Sequence, residues 1–395
     1  MDNPIITSLL DNDFYQLKMS YSFWKTNQHK TIVSFKLHNR SDIKFNYIVS
    51  ELNDHITELF NLKFSFYDLS YIKQILPIDL NIETYLDYLM ALKPPTIKIT
   101  SDLNDNVILT YTGEIGYSIF YETPILAIIK ELYIRYKIKD IKNDVEHDLS
   151  IKLNNKIDII KNMVEIPDII EFGTRRRFSK NWQDIVFNRL YSKHISKKTS
   201  NIKLAQSYNI HPVGSVAHLW DMFHVAKSEI NTTELNDNII FIMQRNYEKG
   251  IASWNTIWGN EPYITDTFGT EYFLNNIFPL YPNLNVRQDS GDPFKMIDMY
   301  NKSFNNKNHI LLSDGLTINI IKDIKNKYYN QPLSFGWGTN LTDDSCVNSL
   351  QIVIKLDAIH INNTIYQTVK LSDNPEKSLT SNSSLLNIYK NAFPN

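Results

Sequence analysis

The sequence predicts an α/β protein in which a mixed α+β domain precedes a parallel β/α array. Three observations carry that expectation. In the second half, short apolar runs recur, each ending in a polar or glycine-rich cluster and each followed by a helical segment. YITD, LNVRQD, HILLSD and LSFGWG end at Asp266, Asp289, Asp314 and Gly338. These ends fall roughly two dozen residues apart, about what one strand, one loop and one helix consume. In the first third the pattern differs: TIVSFKLHNR (31–40) alternates as a strand should. TIKIT (96–100) and VILTYTG (107–113) flank the turn-rich SDLNDN and read as a hairpin. Finally, 395 residues with 43% hydrophobic and 12% aromatic content suit one large α/β unit plus a smaller one.

Taken in order, residues 14–24 place apolar and aromatic positions at helical spacing behind Asp11 and Asp13, either of which can cap the helix. Pro124–Lys137 reads as an amphipathic helix, and the change of domain is placed near it. The expected division is 1–125, 126–345 and 346–395. In the array, polar residues at the carboxyl ends of successive strands converge on one mouth, where such folds place their chemistry.

Composition narrows the function. A formal net charge of −2 excludes a globally basic nucleic-acid surface, so any basic role is local. The single cysteine, Cys346, cannot form an internal disulfide and reads as an ordinary small apolar residue in a reducing compartment. No run approaches the roughly 18 apolar residues that span a bilayer. The N-terminus lacks a basic region leading into an apolar core. The expectation is a cytoplasmic protein with neither membrane nor nucleic-acid partner. Ten histidines without ligand-like spacing argue against zinc, and no G-x-x-x-x-G-K-[ST] phosphate loop occurs.

The local basic feature is EFGTRRRFS (171–179). Arginine is planar, permanently charged and bidentate toward phosphate. Arg175, Arg176 and Arg177 sit at a predicted strand-to-helix turn, where backbone N–H groups also attract anions. Three adjacent basic residues alone more often form a solvated surface run. With VRQDSGDPF (286–294), ILLSDGLTI (310–318) and SFGWGTNLT (334–342), however, the set suits a phosphorylated ribose with a bound metal ion. Gly336, Gly338 and Thr339 suit a phosphate-cradling loop, because glycine lets backbone N–H approach an anion. Asp314 before Gly315 serves equally as a turn residue and as an acceptor for adjacent sugar hydroxyls.

These stretches, in this order, resemble nicotinate phosphoribosyltransferases. SLLDNDFYQLKM (8–19), TSNIKLA (199–205), GSVAHLWDMF (214–223), ITDTFGTEYF (264–273) and FGWGTNLTDD (335–344) complete the likeness over most of the chain. The resemblance implies an irregular TIM-like (β/α) barrel of the nicotinate/quinolinate phosphoribosyltransferase type. Its N-terminal α+β domain would be rejoined by the C-terminal segment. It implies attack of nicotinate on C1 of 5-phosphoribosyl 1-diphosphate, driven by ATP through a phosphohistidine, with Mg²⁺ on the diphosphate, in NAD salvage. A homodimer is implied, with the site at its interface.

By the same resemblance, Phe172 stacks on the pyridine ring, with Tyr15 as the second ring-stacking residue, contributed by the other subunit. Arg175 contacts phosphates or carboxylate, ahead of Arg177, and Thr174 lies within the substrate-binding signature. Arg287 and Asp289 lie at the pyridine, ribose and metal–diphosphate side. Asp266 contacts the ribose or the metal's waters, so Asp266 and Asp289 are the metal candidates. His218 is the phosphorylated residue, although a lone histidine in GSVAHLW is also an ordinary core residue. His224 is a bystander. Ser200, where the amide-using relatives carry aspartate, favours the acid over nicotinamide. The chain departs from the family's wording at Lys198, Ser215 and Trp337. A nicotinamide-using enzyme and a catalytically silent phosphosugar-binding module remain the competing readings.

Overall fold

The computed structural model describes residues 4–139, 141, 144–228, 236–303, 308–380 and 382–394. Its ten strands are β1 (Ile32–Asn39), β2 (Thr96–Ser101), β3 (Val107–Glu114), β4 (Asp168–Glu171), β5 (Tyr263–Ile264), β6 (Val286–Gln288), β7 (Ile310–Leu312), β8 (Leu333–Trp337), β9 (Ile352–Ile361) and β10 (Thr364–Gln367). They form two five-stranded sheets, ordered β10-β9-β1-β3-β2 and β4-β8-β7-β6-β5.

The first sheet is antiparallel throughout. The hairpin read in the sequence is there, with Thr96 opposite Thr112 and Ser101 opposite Val107. Alternation in β1 buries Val33, Phe35 and Leu37 on one face, the pattern of a half-buried strand. β9 lies beside β1, from Ile32 opposite His360 to Asn39 opposite Ile352, with an irregularity at Ser34/Phe35. Residues 352–367, near the end of the chain, thus complete the N-terminal sheet.

The second sheet is parallel, and its β5, β6, β7 and β8 are the four runs expected. Its short strands are buried on both faces, with Ile310, Leu311 and Leu312 all at or below 1% exposure, as helix-covered parallel strands require. The ring expected of a TIM-like barrel does not close. Among the described residues β4 and β5 are the sheet's two ends, and β4 gains only a one-residue parallel bridge from Glu171 to Thr199. The run TSN is spent on that bridge and on capping the helix Ile202–Ser207 through Asn201, so no continuous strand forms there.

Two helix expectations need correction. Glu122–Ile138 is a helix, but Glu122 through Ile134 are all buried, so it is a central strut and not an amphipathic surface helix. Asp13 stands at the N-cap of Phe14–Lys25 without making a side-chain cap bond. Its carboxylate instead accepts from Ser200 Oγ at 2.7 Å. Asp11 does not cap either: it is buried against Arg177.

Candidate active site

The carboxyl ends of β4, β6, β7 and β8 open on a cleft of about 460 Å³, and the antiparallel sheet supplies its opposite wall. This is where a parallel sheet with crossover helices leaves a crevice. β4 ends at Glu171, followed by Phe172 and the turn Thr174–Arg176. β6 delivers Arg287 and Asp289, β7 delivers Ser313 and Asp314, and β8 delivers Gly336 and Gly338. From the other wall β9 contributes Lys355.

Of the residues singled out in the sequence, Phe172, Arg175, His218, Arg287, Asp289, Asp314, Gly336, Gly338 and Thr339 line this cleft. Tyr15 lines a smaller adjoining cavity of about 30 Å³ with Glu122, Arg175, His218 and Lys355. The chain therefore brings its own Tyr15 there. Sequence distance is bridged by a backbone bond from Phe14 N–H to Ser200 C=O at 2.7 Å, so remoteness in sequence gives no reason to invoke a second subunit.

Four candidates lie behind the cleft wall. Arg177 is fully buried and grips Asp11 bidentately at 2.7 and 2.8 Å, with Gln183 at 2.9 Å. It clamps the N-terminal segment to the turn after β4, so it has no free donor fork for substrate. Thr174 is buried and accepts from Gln183 and Asn201. Ser200 is buried, and its hydroxyl proton is committed to Asp13, which leaves nothing to donate to a substrate carboxylate. Asp266 is also buried, accepting from Ser290 at 2.5 Å and Ser372 at 3.3 Å.

The two glycines of SFGWG make room for Phe172. A Cβ on Gly336 would stand 2.4 Å from Phe172 Cδ2, and one on Gly338 would stand 3.1 Å from the Phe172 carbonyl. Gly336 lets the β8 backbone lie against the Phe172 ring, which also has the Arg287 guanidinium 5.6 Å from its centroid. That separation is within cation–π range. Between the glycines, Trp337 turns inward and is fully buried, so its bulk does not enter the cleft. Lys198 pairs with Asp168 at 2.7 Å on the outside, and Ser215 Oγ accepts from Arg287 Nη1 at 2.8 Å.

His218 is the first residue of the helix His218–Ala226 and is 3% exposed. Its Nδ1 lies 3.0 Å from Thr267 Oγ1, and its Nε2 lies 3.0 Å from Asp289 Oδ2 and 2.8 Å from Lys370 Nζ. Burial first, and then the Lys370 charge, push its pKa down to about 4, so the ring is neutral at physiological pH. Burial alone would raise the Asp289 carboxyl, but the charges of Arg287 and Lys370 outweigh it and hold Asp289 well below the usual range. Arg287 donates to Asp289 at 2.7 Å.

Sequence reasoning passed over the lysines. Lys355 is a lone charge inside the apolar run IVIKL, the one signal that could have exposed it. Lys370 and Lys377 come from a C-terminal strap closed by the Lys370–Leu379 bridge. Lys377 binds both carboxylate oxygens of Asp314 at 2.7 Å. Arg40 joins them from the end of β1, donating to the Lys377 carbonyl at 3.3 Å.

His218, Asp266 and Asp289 bring ligand-type atoms within 4.8 Å of one another, and Asp266 Oδ1 is buried without a hydrogen-bond partner. Hard carboxylate oxygens suit Mg²⁺. Yet the Lys370 ammonium, 2.8 Å from His218 and 3.4 Å from Asp266, already occupies this space as the compensating cation. The residues do not fit an ion ligated directly by Asp266 and Asp289, so only the expected contact through the metal's waters is left. Cys346 is exposed. His224 is buried with Nδ1 on the Trp220 carbonyl and does not line the cleft. No helix among the described residues is long and apolar enough to cross a membrane.

Comparison with known proteins agrees with this geometry. The nicotinate phosphoribosyltransferase (NAPRTase) family matches residues 168–395, and its N-terminal domain matches residues 10–130. The nicotinate phosphoribosyltransferase of Acinetobacter baumannii is 28% identical over 99% of this chain and 98% of its own. That of Neisseria meningitidis serogroup B is 29% identical over 98% and 97%. The solved structure of nicotinate phosphoribosyltransferase from Vibrio cholerae superimposes with a TM-score of 0.84 at 26% identity, covering 100% of this chain and 94% of that one. The Porphyromonas gingivalis structure, at 24% identity, shares the fold with a TM-score of 0.85, covering 98% and 100%. With signature residues lining one cleft and the match extending over more than half the sequence, the chain belongs to the nicotinate phosphoribosyltransferase family.

Proposed function

We propose that the protein forms nicotinate mononucleotide and diphosphate from nicotinate and 5-phosphoribosyl 1-diphosphate, with ATP as co-substrate. The observation that carries the reading is the juxtaposition at the cleft. An aromatic surface, Phe172, is held by Gly336 and Arg287 at the edge of a cavity rich in Arg and Lys. The pyridine nitrogen lone pair attacks C1 of the ribose, and the C1–O bond to diphosphate breaks. Such a displacement needs positioning and stabilisation of the leaving anion more than a protein nucleophile. Arg175, Arg287 and Lys355 supply positive charge on both walls, and Asp314 is placed for the ribose hydroxyls. Arg175 and Lys355 beside Tyr15 favour a carboxylate on the ring over an amide.

His218 is the phosphoryl carrier in this reading. Its neutral imidazole offers a nitrogen lone pair to the γ-phosphorus of ATP; the N–P bond forms and the bond to the ADP oxygen breaks. The phosphoramidate is labile enough to be hydrolysed in the same cycle. Mg²⁺ enters only as the companion of the diphosphate, without direct ligation by Asp266. The division at 125/126 and 345/346, a homodimeric assembly, a cytoplasmic location and a place in NAD salvage complete the proposal.

The test is nucleotide formation from nicotinate and from nicotinamide, with and without ATP, for the wild type and His218→Ala. The variant loses ATP stimulation and keeps basal turnover on nicotinate. Equal ATP stimulation in both proteins removes His218 as carrier. Preference for nicotinamide moves the protein to the amide-using class, and absence of turnover with either base leaves only a binding module.

A further inference from the structure

A carboxylate outside the cleft is linked to the His218 ring through one shared hydroxyl. Asp221, one turn along the helix from His218, is fully buried and accepts two hydrogen bonds: Tyr263 Oη to Oδ1 at 2.5 Å and Thr267 Oγ1 to Oδ2 at 2.6 Å. Thr267 Oγ1 is also the group 3.0 Å from His218 Nδ1. A hydroxyl has one proton. When that proton goes to Asp221, the Thr267 oxygen can only accept, and Nδ1 must carry the ring hydrogen. Nε2 is then left with its lone pair.

The other side of the ring shows why this tie is needed. At Nε2 two groups compete: the Lys370 ammonium at 2.8 Å wants an acceptor, and Asp289 Oδ2 at 3.0 Å wants a donor. Without the Thr267 link, a proton on Nε2 facing the Asp289 carboxylate becomes the favourable arrangement. With the link, Nε2 accepts from Lys370 and stays unprotonated. Which ring nitrogen of a histidine bears the proton is set by the partner of the other nitrogen.

We propose that Asp221 and Thr267 are positioning residues that hold neutral His218 in the Nδ1–H tautomer and so keep Nε2 unprotonated, the form that can act as a nucleophile once Lys370 turns to an incoming phosphate. The consequence for phosphoryl transfer rests on the function proposed above; the tautomer itself does not.

The experiment reads the ring directly. Protein labelled with ¹⁵N-histidine, with His218 assigned by difference from His218→Gln, is examined at pH 8.5, where Asp221, pushed up to about 7 by burial, is ionised. The wild type shows a pyrrole-type Nδ1 and a pyridine-type Nε2. Thr267→Val, which keeps the shape and removes the hydroxyl, moves the proton to Nε2. Thr267→Ser restores the wild-type pattern. In parallel, ATP-dependent labelling of His218 falls about 10- to 100-fold in Thr267→Val, the range for loss of such an outer partner, and recovers in Thr267→Ser. A wild-type ring protonated on Nε2, or identical ring patterns in the wild type and Thr267→Val, overturns the proposal. If the tautomer moves as expected but no variant, nor the wild type, is phosphorylated, the positioning role stands and the phosphohistidine reading falls.

Discussion

At the scale of single residues, the site depends on two kinds of arginine and one absent side chain. Arg175 lines both cavities, whereas Arg177, two positions on, is sealed against Asp11. Removing one partner of a buried pair strands the other charge, so Arg177→Ala should lose about 3–5 kcal/mol of stability, read by denaturant unfolding. Arg175→Ala should leave the unfolding midpoint near wild type and lower kcat/KM by about 100-fold, the effect of a lost electrostatic contact to the reacting groups. A reversal of these two outcomes would contradict the placement. Gly336→Ala drives a methyl into the Phe172 ring; overpacking of about 1–3 kcal/mol at that point should raise the KM for nicotinate about tenfold while donor binding changes little. An unchanged KM would show that the ring position does not matter. The arginine triplet and the glycine pair were visible in the sequence as types. What they do was not, because adjacent residues in a tight turn point in different directions and only tertiary contacts decide which one is exposed.

At the scale of elements, strand β9 is the least anticipated contributor. Its Lys355 faces both cavities, and burial, opposed by Glu122 but reinforced by Arg175 and Lys370, lowers its pKa to about 7. The folded value lies below the ordinary 10.5. Its share of stability is therefore complete above the unfolded value and is lost as pH falls through about 7. For ligand binding the sign is opposite. A bound phosphate or carboxylate raises the pKa, a proton is taken up, and affinity should fall by up to about tenfold per pH unit above pH 7 until the bound-state pKa is reached. Lys355→Arg stays charged throughout, so titration calorimetry from pH 7 to 9 should show the dependence flattened. A slope equal to the wild type's would exclude Lys355 as the group. The parallel strands β5 to β8 were legible because each ends in polar punctuation at regular spacing. β9 closes a sheet begun more than three hundred residues earlier, and such non-local pairing leaves no local trace. A closed barrel is not seen among the described residues: Thr199, Ser200 and Asn201 are drawn into a bridge, an acidic contact and a cap.

At the scale of the whole molecule, the cleft is a seam between two sheets whose cations face one another: Arg175 and Arg287 from the parallel sheet, Lys355 from the antiparallel one, and Lys370 and Lys377 on the strap. An anion placed there relieves repulsion across the seam. Diphosphate at one hundred times its dissociation constant should add about 2.7 kcal/mol to folding stability, and the rise in Tm should shrink in Lys377→Ala, which also frees Asp314. Calorimetry without any rise on adding diphosphate would count against an anion site at the seam. The most direct measurement of the central claim is diphosphate release by the purified protein supplied with 5-phosphoribosyl 1-diphosphate, with nicotinate present or withheld. Release should require nicotinate and equal the nicotinate mononucleotide formed, mole for mole. Folded protein that releases no diphosphate, or releases it without regard to nicotinate, would overturn the assignment of phosphoribosyl transfer to this cleft.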